Sequence, residues 1–253
     1  MGPSEGVLDA PGELVDVAEI PYDFEAHHLG VIVDGSVAME TIRRLAGKLD
    51  RRLLTMRREE GTIWAWLGGQ RAIDPAEVQY HATAVAPEEF SMATGEPAQG
   101  LVGWRLTHQQ ARAAWPIALR GSEPLVRYGD VALLASIFQD HLLTESLREL
   151  YLAPLKEDRA GGGVLRETMR AYFGARGNVS SAAKVLGVNR QTVTNRLRTI
   201  EQRVGRDFSG CAAELEAALR LEELAAKHPR DDHRVETGAL PGRASAPIGG
   251  GDG

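Results

Sequence analysis

The residues best suited to act on another molecule are Gln191, Thr194, Asn195 and Arg198, whose spacing sets them on one side of a helix. Two carboxamides, a hydroxyl and a guanidinium supply paired donors and acceptors rather than a nucleophile or an acid–base couple. Such groups read base edges in the major groove of a duplex, Arg gripping guanine and Gln or Asn pairing with adenine. Arg190, Thr192 and Arg196 flank that side and are placed for backbone phosphates. A polar helix face alone is the ordinary solvated side of an amphipathic helix. The reading therefore depends on what holds the helix.

The elements that would hold it are legible. Val193, Leu197 and Ile200 form the apolar side of the same helix. Upstream, residues 180–186 are expected to make a short helix with Ala182, Ala183 and Leu186 as its stripe, capped by Asn178 or Ser180. Gly187 tolerates the positive φ that ends it, Val188 fills the angle, and Asn189 caps the second helix. A supporting helix over 164–175 presents Leu165, Met169, Tyr172 and Phe173, and Gly177 closes it. Residues 203–208 end the second helix. A further amphipathic helix over 212–227 follows, with Leu215, Leu219, Leu221 and Leu224.

Charge points the same way. Between Arg159 and Arg206 ten basic residues face only Glu167 and Glu201, a net of +8, whereas the whole chain carries −6, leaving −14 elsewhere. A basic island in an acidic chain is the electrostatic footprint of phosphate binding. Read globally, the acidic balance would hide it.

At 253 residues and 43% hydrophobic content the chain can hold one large or two modest domains. It has no apolar run of membrane-spanning length and no secretory signal pattern at its start, so no membrane partner is expected. Its single cysteine, Cys211, excludes an internal disulfide and a cysteine-rich zinc site. The expected location is the cytoplasm. Residues 1–21 read as a linker or disordered segment, and 229–253 as a disordered tail rich in Gly, Pro, Asp and Arg.

Residues 22–143 mix short strands with helices. Strands are expected at 29–34, 62–67, 91–94 and 125–127. One helix carries Ile42, Leu45, Ala46, Leu49 and Leu53. A short one starts at Asp74-Pro75, one is capped by Thr107 and runs to Leu119, and a long apolar one is capped by Asp130. The pattern suggests an α+β domain with helices packed on one face of a sheet. Little chemistry is visible there. His27 and His28 point to opposite faces of a strand and lack a third ligand. His81, His108 and His141 read as surface or helix-face residues, and the four tryptophans as core. The 95–100 loop is not followed by the Gly-Lys-Ser/Thr of a phosphate-binding loop. No cofactor, metal site or catalytic set is expected.

The stretch 165–226 resembles the helix-turn-helix domain of the PucR/CdaR family of bacterial transcription regulators. Its motifs are Leu-Arg-Glu-Thr-Met-Arg-Ala-Tyr-Phe at 165–173, Asn-Val-Ser-Ser-Ala-Ala at 178–183, Leu-Gly-Val-Asn-Arg-Gln-Thr-Val at 186–193, Arg-Leu-Arg-Thr-Ile-Glu at 196–201 and Gly-Arg-Asp-Phe at 205–208. Gln191 stands where the family more often carries Asn, so base preference does not transfer. The preceding residues resemble the GGDEF-like domain of the same family, through 28–33, 61–69, 95–97, 107–112 and 127–134. Diguanylate cyclases carry a Gly-Gly-Asp/Glu-Glu-Phe turn before the central strand; Arg-Glu-Glu-Gly-Thr-Ile stands at 58–63 here. The resemblance therefore implies a degenerate, structural or dimerising domain without cyclase activity. The family's N-terminal sensor is not seen. The chain is expected to be a truncated member, or to take its signal through the degenerate domain, a partner or a small-molecule effector.

The expected fold is thus a GGDEF-like (ferredoxin-like) α+β domain over 22–143, a helical linker over 144–163 and an all-α helix-turn-helix domain over 164–228. The expected partners are double-stranded DNA and a second copy of the chain, because two-fold dimers read half-sites about 34 Å apart. The rival readings are a nucleotide-binding or cyclase-like signalling protein with a DNA-binding appendage, and a protein-interaction module whose basic island takes an acidic partner.

Overall fold

The computed structural model describes residues 22–58, 61–85, 90–156 and 162–227. The expected tails at 1–21 and 229–253 lie outside them. The first half folds as β1 (His27–Asp34), α1 (Ala38–Lys48), β2 (Arg52–Arg57), β3 (Ile63–Gly69), α2 (Pro75–Val85), β4 (Ser91–Thr94), β5 (Ala98–Gln99), α3 (Gly100–Arg120) and β6 (Leu125–Arg127). The strands form one sheet in the order β2-β3-β1-β4-β6, with β5 also paired to β1. All pairings are antiparallel except β4 with β6, which the α3 crossover makes parallel.

Helices cover both faces of this sheet, not one as the sequence suggested. Leu29, Val31 and Val33 meet Ile42 and Leu45 of α1 and Val78 and Ala82 of α2. On the opposite face Trp66 stacks on Trp104 of α3 with ring centroids 4.6 Å apart. The central strand β1 is buried on both sides of its pleat, and only doubly covered strands read that way. Close approach is made possible by Gly30, where a Cβ would lie 2.6 Å from the His108 backbone nitrogen. Between β4 and β5 the strand has no ladder partner for the Gly30 N–H, which donates instead to Thr107 Oγ1 at 2.8 Å.

Three local expectations change for the same kind of reason. Thr107 is not a cap but sits inside α3, which begins where Gly100 (φ +73°) turns the chain out of β5. The apolar spacing through Leu53 outruns α1, which stops at Lys48. Asp50 takes a left-handed φ of 51°, and the Arg51 N–H closes on Ala46 O at 2.9 Å. The long apolar helix is two, α4 (Tyr128–Gln139) and α5 (His141–Leu147). Asp130 lies inside the first turn of α4 and does not cap it; the break is set by Asp140, whose side chain accepts from Leu143 N at 2.9 Å.

A π turn, Arg148–Leu152, and a 3-10 turn, Ala153–Leu155, continue from α5. Then come α6 (Gly162–Gly174), α7 (Val179–Leu186), α8 (Arg190–Val204) and α9 (Ala212–Lys227). The segment expected as a linker is helical to Leu155, but it is also core. Leu147, Tyr151, Leu152 and Leu155 are buried in a cluster that runs from Ala114 and Leu134 to Met169, Ile200 and Leu215. The helical half is therefore packed against the sheet half through apolar side chains. Among the described residues no helix is long and apolar enough to cross a membrane.

Candidate nucleic-acid interface

α7 and α8 are set at their angle by a small separate core. Ala182, Ala183 and Val193 are buried, with Tyr172, Ala175, Val179, Leu186, Val188 and Leu197 packed around them. Both helices carry the anticipated caps. Asn178 accepts from Ser181 N at 3.0 Å, and Asn189 accepts from Thr192 N at 2.7 Å. Each cap is worth about 1 kcal/mol. Gly187 (φ +65°) and Gly205 (φ +71°) end them in the left-handed region, where a side chain would be strained.

The outward face then takes shape residue by residue. Gln191, Asn195 and Arg198 are exposed along α8, as is Arg190 at its first turn. Gln191 Nε2 donates to Asn195 Oδ1 at 3.0 Å, which leaves the Asn195 amide hydrogens and the Gln191 carbonyl for a partner. Thr194 is half-buried and donates its hydroxyl hydrogen to Arg190 O at 3.2 Å. Two of the phosphate candidates, both half-buried, also bond within the domain. The Thr192 hydroxyl donates to Asn189 Oδ1 at 2.8 Å as part of the cap, and Arg196 Nη1 donates to Thr168 Oγ1 of α6 at 3.2 Å.

The basic island also shrinks. Arg166 pairs with Glu222 at 2.7 Å, while Arg170 pairs with Glu222 at 3.0 Å and Glu223 at 2.6 Å. Arg206 donates to the Tyr151 hydroxyl at 3.4 Å and lies over its ring. Both glutamates lie on α9, outside the counted window, so the sequence offered no signal of the pairing. Positive charge open to solvent gathers on Arg176, Lys184, Arg190 and Arg198, all exposed.

A few of the sheet domain's polar groups face inward. His28 is fully buried, with Nδ1 at 3.0 Å from the Tyr22 hydroxyl and Nε2 at 3.0 Å from Phe24 O. Burial lowers its pKa, and raises that of the Tyr22 phenol. His108, expected as a surface or helix-face residue, lies on the inner face of α3, only 4% exposed and against the rings of Trp64 and Trp66. Burial first, then Arg112 and Arg58, push its pKa down to about 4. His108 directly follows Thr107 on α3, which starts earlier than expected, and no local pattern marks its burial. The Arg58 guanidinium covers the Trp64 ring at 4.7 Å, and the Arg58 N–H donates to Thr62 O across the turn at 2.9 Å. Glu59 and Glu60 lie outside the described residues. Among the described residues no three His, Cys, Asp or Glu side chains are grouped to hold a metal.

Two domain families match the chain. The PucR C-terminal helix-turn-helix domain matches residues 165–221, and the GGDEF-like domain matches residues 16–117. Among solved structures, a regulator of polyketide synthase expression from Bifidobacterium adolescentis aligns at 15% identity. The alignment covers 79% of this chain and 82% of that one, with a TM-score of 0.40. None of the curated proteins matches.

Proposed function

Because this chain joins a GGDEF-like domain to a PucR C-terminal helix-turn-helix domain, we propose that it is a transcription regulator acting on duplex DNA as a cytoplasmic homodimer. Residues 22–143 form its structural domain, 144–163 the helical connection and 164–228 the DNA-binding domain. The α8 helix enters the major groove. Gln191, Thr194, Asn195 and Arg198 face the bases, while Arg190, Thr192 and Arg196 serve the phosphates. The observation that carries this reading is the α8 face itself: Gln191, Asn195 and Arg198 are exposed while the rest of the helix is fixed by caps, glycines and a dedicated core. A polar face held this rigidly is pre-organised for a partner.

The test is binding of the full chain to random duplex DNA across a salt series. The reading expects log affinity to fall linearly with log salt as counterions are released. Binding absent at low salt would refute it. Incubation with GTP and magnesium separates the cyclase alternative, and no cyclic dinucleotide is expected.

A further inference from the structure

Along the exposed face of α8 two side chains are already joined. Gln191 Nε2 donates to Asn195 Oδ1 at 3.0 Å, one helical turn away, and both residues are exposed. A carboxamide pair at this spacing is one of the side-chain couples that a helix favours. The neighbouring hydroxyls do not compete for it. Thr194 donates to Arg190 O at 3.2 Å and Thr199 to Asn195 O at 3.0 Å, both main-chain groups. Among the described residues neither carboxamide has another side-chain hydrogen-bond partner.

The bond decides what this part of the face offers. It uses one amide hydrogen of Gln191 and part of the Asn195 carbonyl. The Gln191 carbonyl remains as an acceptor, and the spare Gln191 hydrogen and the Asn195 amide remain as donors. Turning both carboxamides over exchanges which residue supplies which group, and still leaves an acceptor and a donor together. In the major groove adenine alone sets an amino donor, N6, beside an acceptor, N7, on one base. Guanine shows two acceptors, cytosine a donor, and thymine an acceptor and a methyl group.

We propose that Gln191 and Asn195 read one adenine as a single unit, each depending on the other, rather than two bases independently. This pairing rests on the proposed entry of α8 into the major groove and deepens it by saying how two of its residues share a base. The physical reason is orientation. Two free carboxamides would each lose rotamer freedom on binding, and the bond between them removes part of that loss before DNA arrives. Removing either partner therefore releases the other.

Duplexes selected from a randomised pool by the full chain supply the probe. Each adenine of the selected site is replaced in turn by 7-deazaadenine, which lacks the N7 acceptor, and by purine, which lacks the N6 amino group. One adenine should be sensitive to both, each replacement weakening binding about tenfold, or ~1.4 kcal/mol. Gln191→Ala and Asn195→Ala should each bind the unmodified site about tenfold more weakly, and each should lose sensitivity to both replacements at that same adenine. In the double variant the loss should stay at about tenfold, whereas two independent contacts would give about a hundredfold. Both side chains are exposed and alanine favours helix, so melting should match the wild type within a few degrees. Losses that multiply in the double variant, or single variants that go blind at two different base pairs, would overturn the proposal and leave base reading by α8 intact. A selected site with no adenine sensitive to both replacements would overturn it in the same way. Wild-type chain that binds duplex DNA but selects no sequence would refute base reading itself, and this pairing with it.

Discussion

The sheet domain and the helix-turn-helix domain spend their polar groups in opposite ways. In the first, His28, Thr107, His108 and the Trp66 indole are sealed under α3 or against the sheet and are consumed by packing. In the second, Gln191, Asn195 and Arg198 are held out into solvent by a helix whose apolar side is buried and whose two ends are capped. A titratable or hydrogen-bonding group thus means something different in each half. In the sheet it is part of what keeps the fold together; on α8 it is available to another molecule. Substitutions in the first half should move stability and spare DNA recognition, and those on α8 should do the reverse.

The harshest way to break that contrast is Gly30→Ala. The new Cβ would press on the backbone of α3 at His108, where no flexible side chain can yield. A loss of about 3 kcal/mol in denaturant unfolding is expected, with unchanged DNA specificity in the fraction that remains folded. A gain in stability would mean that the sheet and α3 are less tightly opposed than described.

Next in size is the pH response of His108. Folded, it stays neutral down to about 4, whereas unfolded it takes up a proton near its ordinary value of 6.5. The unfolded state therefore binds more protons inside that window, and stability falls as pH drops through it by on the order of 3 kcal/mol. His28 acts in the same direction. His108→Phe, measured by unfolding at pH 4.5 and 7, should show a visibly smaller difference between the two. An unchanged difference would place the acid sensitivity elsewhere.

On the other side of the comparison, Arg198→Ala should cost about 1–3 kcal/mol of discrimination between the preferred duplex and a random one. Its melting temperature should match that of the wild type. The smallest effects separate two arginines that look alike in sequence. Arg196→Ala removes the bond to buried Thr168 and should lose about 1 kcal/mol of stability, as well as some affinity for all DNA. Arg190→Ala touches nothing in the fold and should only lower the salt slope of binding by about 1. Identical stability for the two would erase the distinction.

How much of this was legible follows from distance along the chain. The α7–α8 hairpin was readable because its determinants are local. Asn178 and Asn189 cap within three residues, Gly187 turns the chain where it stands, and Ala183, Val193 and Leu197 are one or two turns from their neighbours. The arrangement on the sheet was not. Gly30 meets Thr107 across 77 residues, and Arg166 meets Glu222 across 56. No local pattern marks either pairing, so the sequence starts α3 too late, does not separate a surface from a buried helix-face position for His108, and makes the basic segment look more open than it is. Where a helix stripe and its partner are both local, sequence suffices; where a glycine waits for a distant backbone, only the fold reveals why it is there.

The central claim, that the exposed face of α8 reads bases, is tested most directly by selecting duplexes from a randomised pool with two proteins. One is the wild-type chain and the other carries Gln191→Ala, Asn195→Ala and Arg198→Ala together. The wild type should enrich a defined two-fold site. The triple variant, equally stable, should still bind duplex DNA in a salt-dependent way but enrich no sequence. Enrichment of the same site by both proteins would contradict it.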